Sequence, residues 1–171
     1  MEYEGEYILN ASREVVWKLL MDPDVLARAT PGIQYLEPLD GEGNYRAHYD
    51  VRLGSVAGKF EGIFQVTDRI EGQQFTLKVY VKGSPGTMNV KGTIRLEPTA
   101  ENVTRVRFSG KAIATDKLAR FGQRVLKASA RMFTRQFFKK LEKEFIPSNK
   151  EGKTGESKLK RRIKEWKSRS N

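Results

Sequence analysis

The chain has 171 residues, 38% hydrophobic and 10% aromatic, enough to bury the core of one domain with an appendage. It has no cysteine, which excludes disulfides, thiolate nucleophiles and Cys-ligated metals, and it has no apolar run of about 18 residues that could cross a membrane as a helix. The net charge of +11 is unevenly placed: residues 116–146 and 147–171 each contribute +6, and residues 1–115 contribute −1.

The opening stretch is acidic and alternating, unlike a signal peptide, and residues 2–10 read as a strand with Tyr3, Gly5, Tyr7 and Leu9 on one face. Ser12 suits the N-cap of a short helix running to Met21. Asp22 suits the cap of a second, with Pro23 in its first turn and an end near Ala29. Strands are then expected over 33–39, 45–53 and 56–70, and around Phe75–Val81, Met88–Leu96 and Val106–Ala114, with residues 97–102 as a loop. Their alternation puts apolar residues on one face and charged residues on the other, the mark of an antiparallel meander with one covered side. Residues 116–146 carry a 3.6-residue apolar period through Leu118, Phe121, Val125, Ala128 and Met132, which predicts one helix about 45 Å long. The economical arrangement is an α+β fold in which a curved sheet of about seven strands wraps that helix.

Glycines interrupt the apolar sheet face at Gly58, Gly62, Gly92 and Gly110. Two readings stand side by side: the glycines let strands bend and approach closely, or the missing side chains leave an apolar cavity between sheet and helix. A cavity there is expected to be lined by Phe60, Phe64, Phe108, Phe121 and Val125, with Tyr45 or Tyr49 near its mouth.

Catalytic patterns are sparse. His48 is the only histidine and falls on the charged face, where a solvated side chain is the ordinary reading. No carboxylates show metal-ligand spacing, so no catalytic residue, metal or cofactor is assigned. A pocket tyrosine remains as a proton donor for an enzyme reading. The basic helix face lacks interleaved aromatics, which counts against nucleic acid.

The segment Trp17 to Leu36, then Gly43-Asn44-Tyr45, then Gly54 to Gly62, then Leu118 to Gly122 and finally Phe137 to Leu141 follow one another with a recognisable order and spacing. Together they resemble the carbon monoxide dehydrogenase G-subunit family over nearly all of residues 1–146. The resemblance implies the helix-grip fold of START-like (SRPBCC) domains and polyketide cyclases, with a ligand-binding domain over 1–146. It also implies a non-enzymatic carrier of a hydrophobic ligand (a quinone, isoprenoid or lipid-like molecule) that links a molybdenum-containing, hydroxylase-type dehydrogenase to the membrane. A polyketide cyclase or hydratase using the same cavity is the alternative. Where such relatives continue into an apolar membrane segment, this chain has a basic one.

That tail, 147–171, reads as a linker with a short amphipathic helix after Ser157, its stripe of Leu159, Ile163 and Trp166 set among Lys160, Arg161, Arg162 and Lys164. A solvated, unstructured terminus, an anionic membrane surface and an acidic partner protein are its three readings. The expected location is the cytoplasm, peripheral at the inner face of the membrane.

Overall fold

A computed structural model of the chain describes residues 1–145. The tail, the amphipathic helix expected in it and the residues Lys160, Arg161, Arg162, Lys164 and Trp166 lie outside the described residues.

The chain opens with β1 (Glu2–Leu9), α1 (Arg13–Leu20) and α2 (Pro23–Ala29). Ser12 Oγ accepts the Val15 amide at 3.3 Å, and Asp22 Oδ1 accepts the Asp24 amide at 2.9 Å with Pro23 at the first helical position. Both short helices therefore start where their caps dictate. Six strands follow: β2 (Ile33–Pro38), β3 (Asn44–Leu53), β4 (Val56–Ile70), β5 (Gln74–Gly83), β6 (Gly86–Ala100) and β7 (Val103–Ala114). All seven form one antiparallel sheet in the order β1-β7-β6-β5-β4-β3-β2.

Three local departures from the alternation have physical causes. Asp68 takes φ +51° and the β4–β5 register shifts between Thr67 and Ile70. This bulge turns Ile70, expected inward, to the outside, where it is 47% exposed. The expected loop over 97–102 is mostly strand, because β6 runs on to Ala100 and only Glu101 and Asn102 turn. Pro98 is tolerated there because β5 pairing ends at Arg95, so the proline withdraws no donor from a neighbour.

The third departure is in the helix. Residues 116–146 do not form one rod: α3 (Asp116–Arg120) ends at Phe121, and α4 (Gly122–Lys143) begins afresh. Gly122 sits at φ +79°, a left-handed geometry that stops a right-handed helix and that glycine adopts without steric cost.

Buried side chains gather at the two ends of this arrangement. The larger core joins Leu9, Val16, Leu20, Val25, Val66, Phe75, Leu96, Val106, Phe138 and Leu141, beneath α1, α2 and the end of α4. A smaller one joins Val56, Phe60, Leu118 and Leu126 around α3 and the start of α4. Arg28 and Glu144 close the first end with two hydrogen bonds of 2.8 and 3.0 Å between α2 and the turn after α4.

Candidate functional site

α4 is fixed at its ends and along its two sides. Phe138 and Leu141 sink into the larger core, and Leu126 into the smaller one. On one flank Ser129 Oγ donates to the Leu53 carbonyl at 3.0 Å, next to the β3–β4 turn. On the other, the Tyr3 hydroxyl of β1 donates to Thr134 Oγ1 at 3.4 Å. The helix thus spans the sheet like a chord across an arc, held at β3 and β1.

The strands under the middle of the chord are incompletely covered. Leu77, Val79, Val90 and Ile94 of β5 and β6 share the inward parity of buried Phe75 and Leu96, yet each is only half-buried. A helix packed flat on a sheet buries such residues almost completely. Their exposure marks an apolar cleft between α4 and the sheet centre.

The glycines do not open that cleft. A Cβ on Gly92 would lie 2.9 Å from the Ser109 carbonyl oxygen, and one on Gly110 would lie 2.7 Å from the Lys91 oxygen. At Gly62 it would meet Val81 Cγ1 at 2.5 Å. These positions are closed by neighbouring chain, so the bend-and-approach reading describes them.

The sequence-predicted lining residues lie at three stations. Phe60, Phe121, Val125 and Tyr49 meet in the smaller core. Tyr45, Phe64 and, again, Tyr49 pack with Ala27, Leu36 and Ala47 in a third cluster, where Tyr45 and Phe64 stack at 5.0 Å. Phe108 stands apart: its ring stacks on Tyr3 at 5.8 Å and on Phe138 at 6.1 Å, against β1. Tyr7, stacked on Phe138 at 4.7 Å, completes that aromatic wall. The sequence reading did not assign Tyr3, Tyr7, Leu77, Val79 and Val90 to the site. Strand parity was the signal that could have found them.

Two phenols of the site are perturbed. Tyr49 is half-buried by area, but its neighbours crowd it enough that burial alone pushes its pKa up to about 12. Burial also raises that of Tyr45, with Glu42 and Asp22 adding to the effect and Arg69 opposing it. His48 lies on the outer face as expected, stacked on Tyr35 at 4.4 Å. A 260 Å³ depression lined by Gln34, His48, Tyr49, Lys59, Phe60, Glu61 and Lys82 reaches the Tyr49–Phe60 pair. A wider groove of 820 Å³ runs beside α1, past Trp17 and Met21.

The solvent side of the helices is cationic. Lys117, Arg120, Arg124, Arg131, Arg135, Lys139 and Lys140 are exposed, Lys127 is half-buried, and no acidic residue intervenes between Asp116 and Glu142. Among the described residues none of these cations pairs with a carboxylate. No helix among those residues is long and apolar enough to cross a membrane.

The family model for the carbon monoxide dehydrogenase G-subunit (CoxG) matches residues 5–146. A conserved protein from Geobacillus kaustophilus is 35% identical, with a TM-score of 0.81 over 84% of this chain and 94% of that one. A START superfamily protein from Mycobacterium smegmatis shares the fold at 16% identity and a TM-score of 0.64, over 84% and 95% of the two chains. The Zhui aromatase/cyclase from Streptomyces sp. R1128 does so at 12% identity and 0.64, over 84% and 92%. Among curated proteins there is no match. The seven-stranded curved sheet around a C-terminal helix is the helix-grip arrangement of these START-like and cyclase structures.

Proposed function

The chain belongs to the carbon monoxide dehydrogenase G-subunit family, and from that premise we propose that it is a carrier that holds a hydrophobic molecule between α4 and the sheet. The observation that carries this reading is the partly exposed strip of Leu77, Val79, Val90 and Ile94, with Val90 outside every apolar cluster, beneath a helix pinned at its ends and flanks. Apolar surface left open inside a domain is stabilised by an apolar guest, at about 25 cal/mol per Å² removed from water. The guest is of quinone, isoprenoid or lipid type, and the family suggests a molybdenum-containing dehydrogenase as the partner served. A carrier fits better than a cyclase because the only histidine faces away from the cleft.

The neutral dye N-phenyl-1-naphthylamine tests the carrier reading. Purified full-length protein should raise its fluorescence stoichiometrically, and a short-chain quinone or isoprenoid should displace it. Absence of any dye uptake by lipid-stripped protein refutes the carrier.

We propose further that the cationic side of α3 and α4 meets an anionic bilayer, together with the basic tail at 147–171. Each basic residue near such a surface contributes about 1 kcal/mol, screened beyond a Debye length of ~8 Å. Full-length protein should sediment with phosphatidylglycerol vesicles at low salt and release at high salt. Truncation after Ser148, and joint replacement of Arg124, Arg131, Arg135 and Lys139 by Gln, should each weaken binding by about tenfold or more. If full-length protein stays in the supernatant at low salt, the membrane reading is wrong.

A further inference from the structure

We infer that the outer face of β5, β6 and β7 docks an acidic amphipathic helix of a protein partner. This face lies on the side of the sheet away from α4, so the inference stands apart from both the cleft and the bilayer contact.

The strand register sets two bars side by side across that face. Lys78, Lys91 and Lys111 are direct cross-strand partners, one lysine on each of three consecutive strands. Two residues along each strand, Tyr80, Asn89 and Ile113 form the next row, which Ile63 of β4 lengthens. Both rows have the parity opposite to the inward row of Val79, Val90 and Ala112. The three lysines are exposed, and so are the apolar members of the second row: Ile113 at 69%, Tyr80 at 43% and Ile63 at 39%.

Each bar runs against what a free sheet surface favours. Like charges directly opposite one another on neighbouring strands repel, and opposite charges attract. Further along the same face the charges are matched: Glu6 and Glu97 lie between 3.4 and 3.8 Å from Arg105 and Arg107. Lys111 reaches Glu2 of the edge strand at 3.6 Å, but among the described residues Lys78 and Lys91 pair with no carboxylate. Lys82, also exposed, stands opposite Glu61, which lies 3.8 Å from Arg46 and 4.0 Å from His48 instead. Ile63 and Tyr80, directly opposite one another, present joined apolar surface to water.

The two bars match a partner that sets carboxylates beside apolar side chains. With strands about 4.8 Å apart, the apolar row is roughly 14 Å long, close to three turns of helix. The bars are about 7 Å apart, so a helix about 10 Å wide resting on the isoleucines brings its flank over the lysines. A nucleic acid would offer phosphates to the lysines but nothing to Ile63 and Ile113, and the row holds a single aromatic ring for base stacking.

The test is fluorescence anisotropy of full-length protein with a fluorescein-labelled helical peptide whose leucine stripe is flanked by glutamates. At low salt the peptide should bind in the micromolar range, and a scrambled peptide of the same composition about tenfold more weakly. Joint Lys78→Gln and Lys91→Gln substitution should weaken binding by about tenfold, and joint Ile63→Ser and Ile113→Ser by a similar factor. The Gln pair should melt at the same temperature as the parent or about 1–3 °C higher, because it relieves repulsion. Joint replacement of Arg124, Arg131, Arg135 and Lys139 by Gln should leave peptide binding within about twofold. Absence of binding, or binding that ignores the Lys78 and Lys91 changes or falls equally with the α4 changes, overturns the inference. So does a lower melting temperature for the Gln pair, which would give the lysines a role in the fold. Tighter binding of single-stranded oligothymidylate through the same lysines overturns the partner class.

Discussion

Val90→Trp is expected to abolish uptake of an apolar probe, weakening it by about 100-fold or more, while the domain stays folded. Val90 lies near the middle of β6, directly opposite Val79 of β5 and Ala112 of β7. It is half-buried and belongs to none of the three apolar clusters. An indole there projects into the space under the chord. Excluding a guest from about 100 Å² of apolar wall forfeits roughly 2.5 kcal/mol, close to two decades of affinity. Inserting bulk into a full core costs about 1–3 kcal/mol, whereas inserting it into an open cleft costs less. A dye titration read beside a circular-dichroism melt separates the two cases. Normal uptake by a folded Val90→Trp variant would place the ligand elsewhere and remove the cleft from the account.

The second large effect is on stability. Gly110→Val should destabilise the domain by about 3 kcal/mol or more, near the top of the usual range for single substitutions. The added Cβ would stand 2.7 Å from the Lys91 carbonyl oxygen and 2.9 Å from Gly92 Cα. Both obstacles are backbone, in a paired position between β6 and β7, and neither can rotate aside. Gly122→Ala makes the contrast: a Cβ there meets nothing within 4 Å, and its cost comes from φ +79° alone. That cost is about 1–2 kcal/mol. Urea unfolding of the two variants tests the pair. If Gly110→Val costs no more than Gly122→Ala, the strands are not closed at that point and the glycines regain a role in opening the cavity.

The sheet was legible because strict alternation in seven segments leaves one solution with a covered face. The order of β2 to β7 follows from short turns; the pairing of β1 with β7 was not legible and appears only in the structure, where Glu2 and Glu6 meet Lys111, Arg105 and Arg107. The bulge at Asp68 was not legible, since a side chain of the right parity gives no sign that the backbone beneath it adds a residue. The end of α3 was hidden for a related reason. Leu118, Phe121 and Val125 keep the helical period across Gly122, and apolar spacing does not record the sign of φ. At the site, parity correctly turned Tyr49, Phe60 and Phe64 inward. It could not show how far α4 stands from β5 and β6. That distance is set by Leu126, Phe138, Leu141 and the Ser129 and Tyr3 hydrogen bonds, which act together only in three dimensions.

The chord geometry bears on how such a domain diversifies. The helix draws its support from the ends and borders of the sheet, so if the domain carries the guest proposed above, a central side chain such as Val90 answers to that guest more than to the scaffold. Val90, which packs against none of the three apolar clusters, is therefore the position freest to change size over generations with little loss of folding stability, whereas Leu77, Val79 and Ile94 also support the cores. At Val90, selection on a proposed cargo and selection on foldedness would be nearly separate. A lineage with this architecture can acquire a new cargo in single mutational steps without first passing through an unstable intermediate.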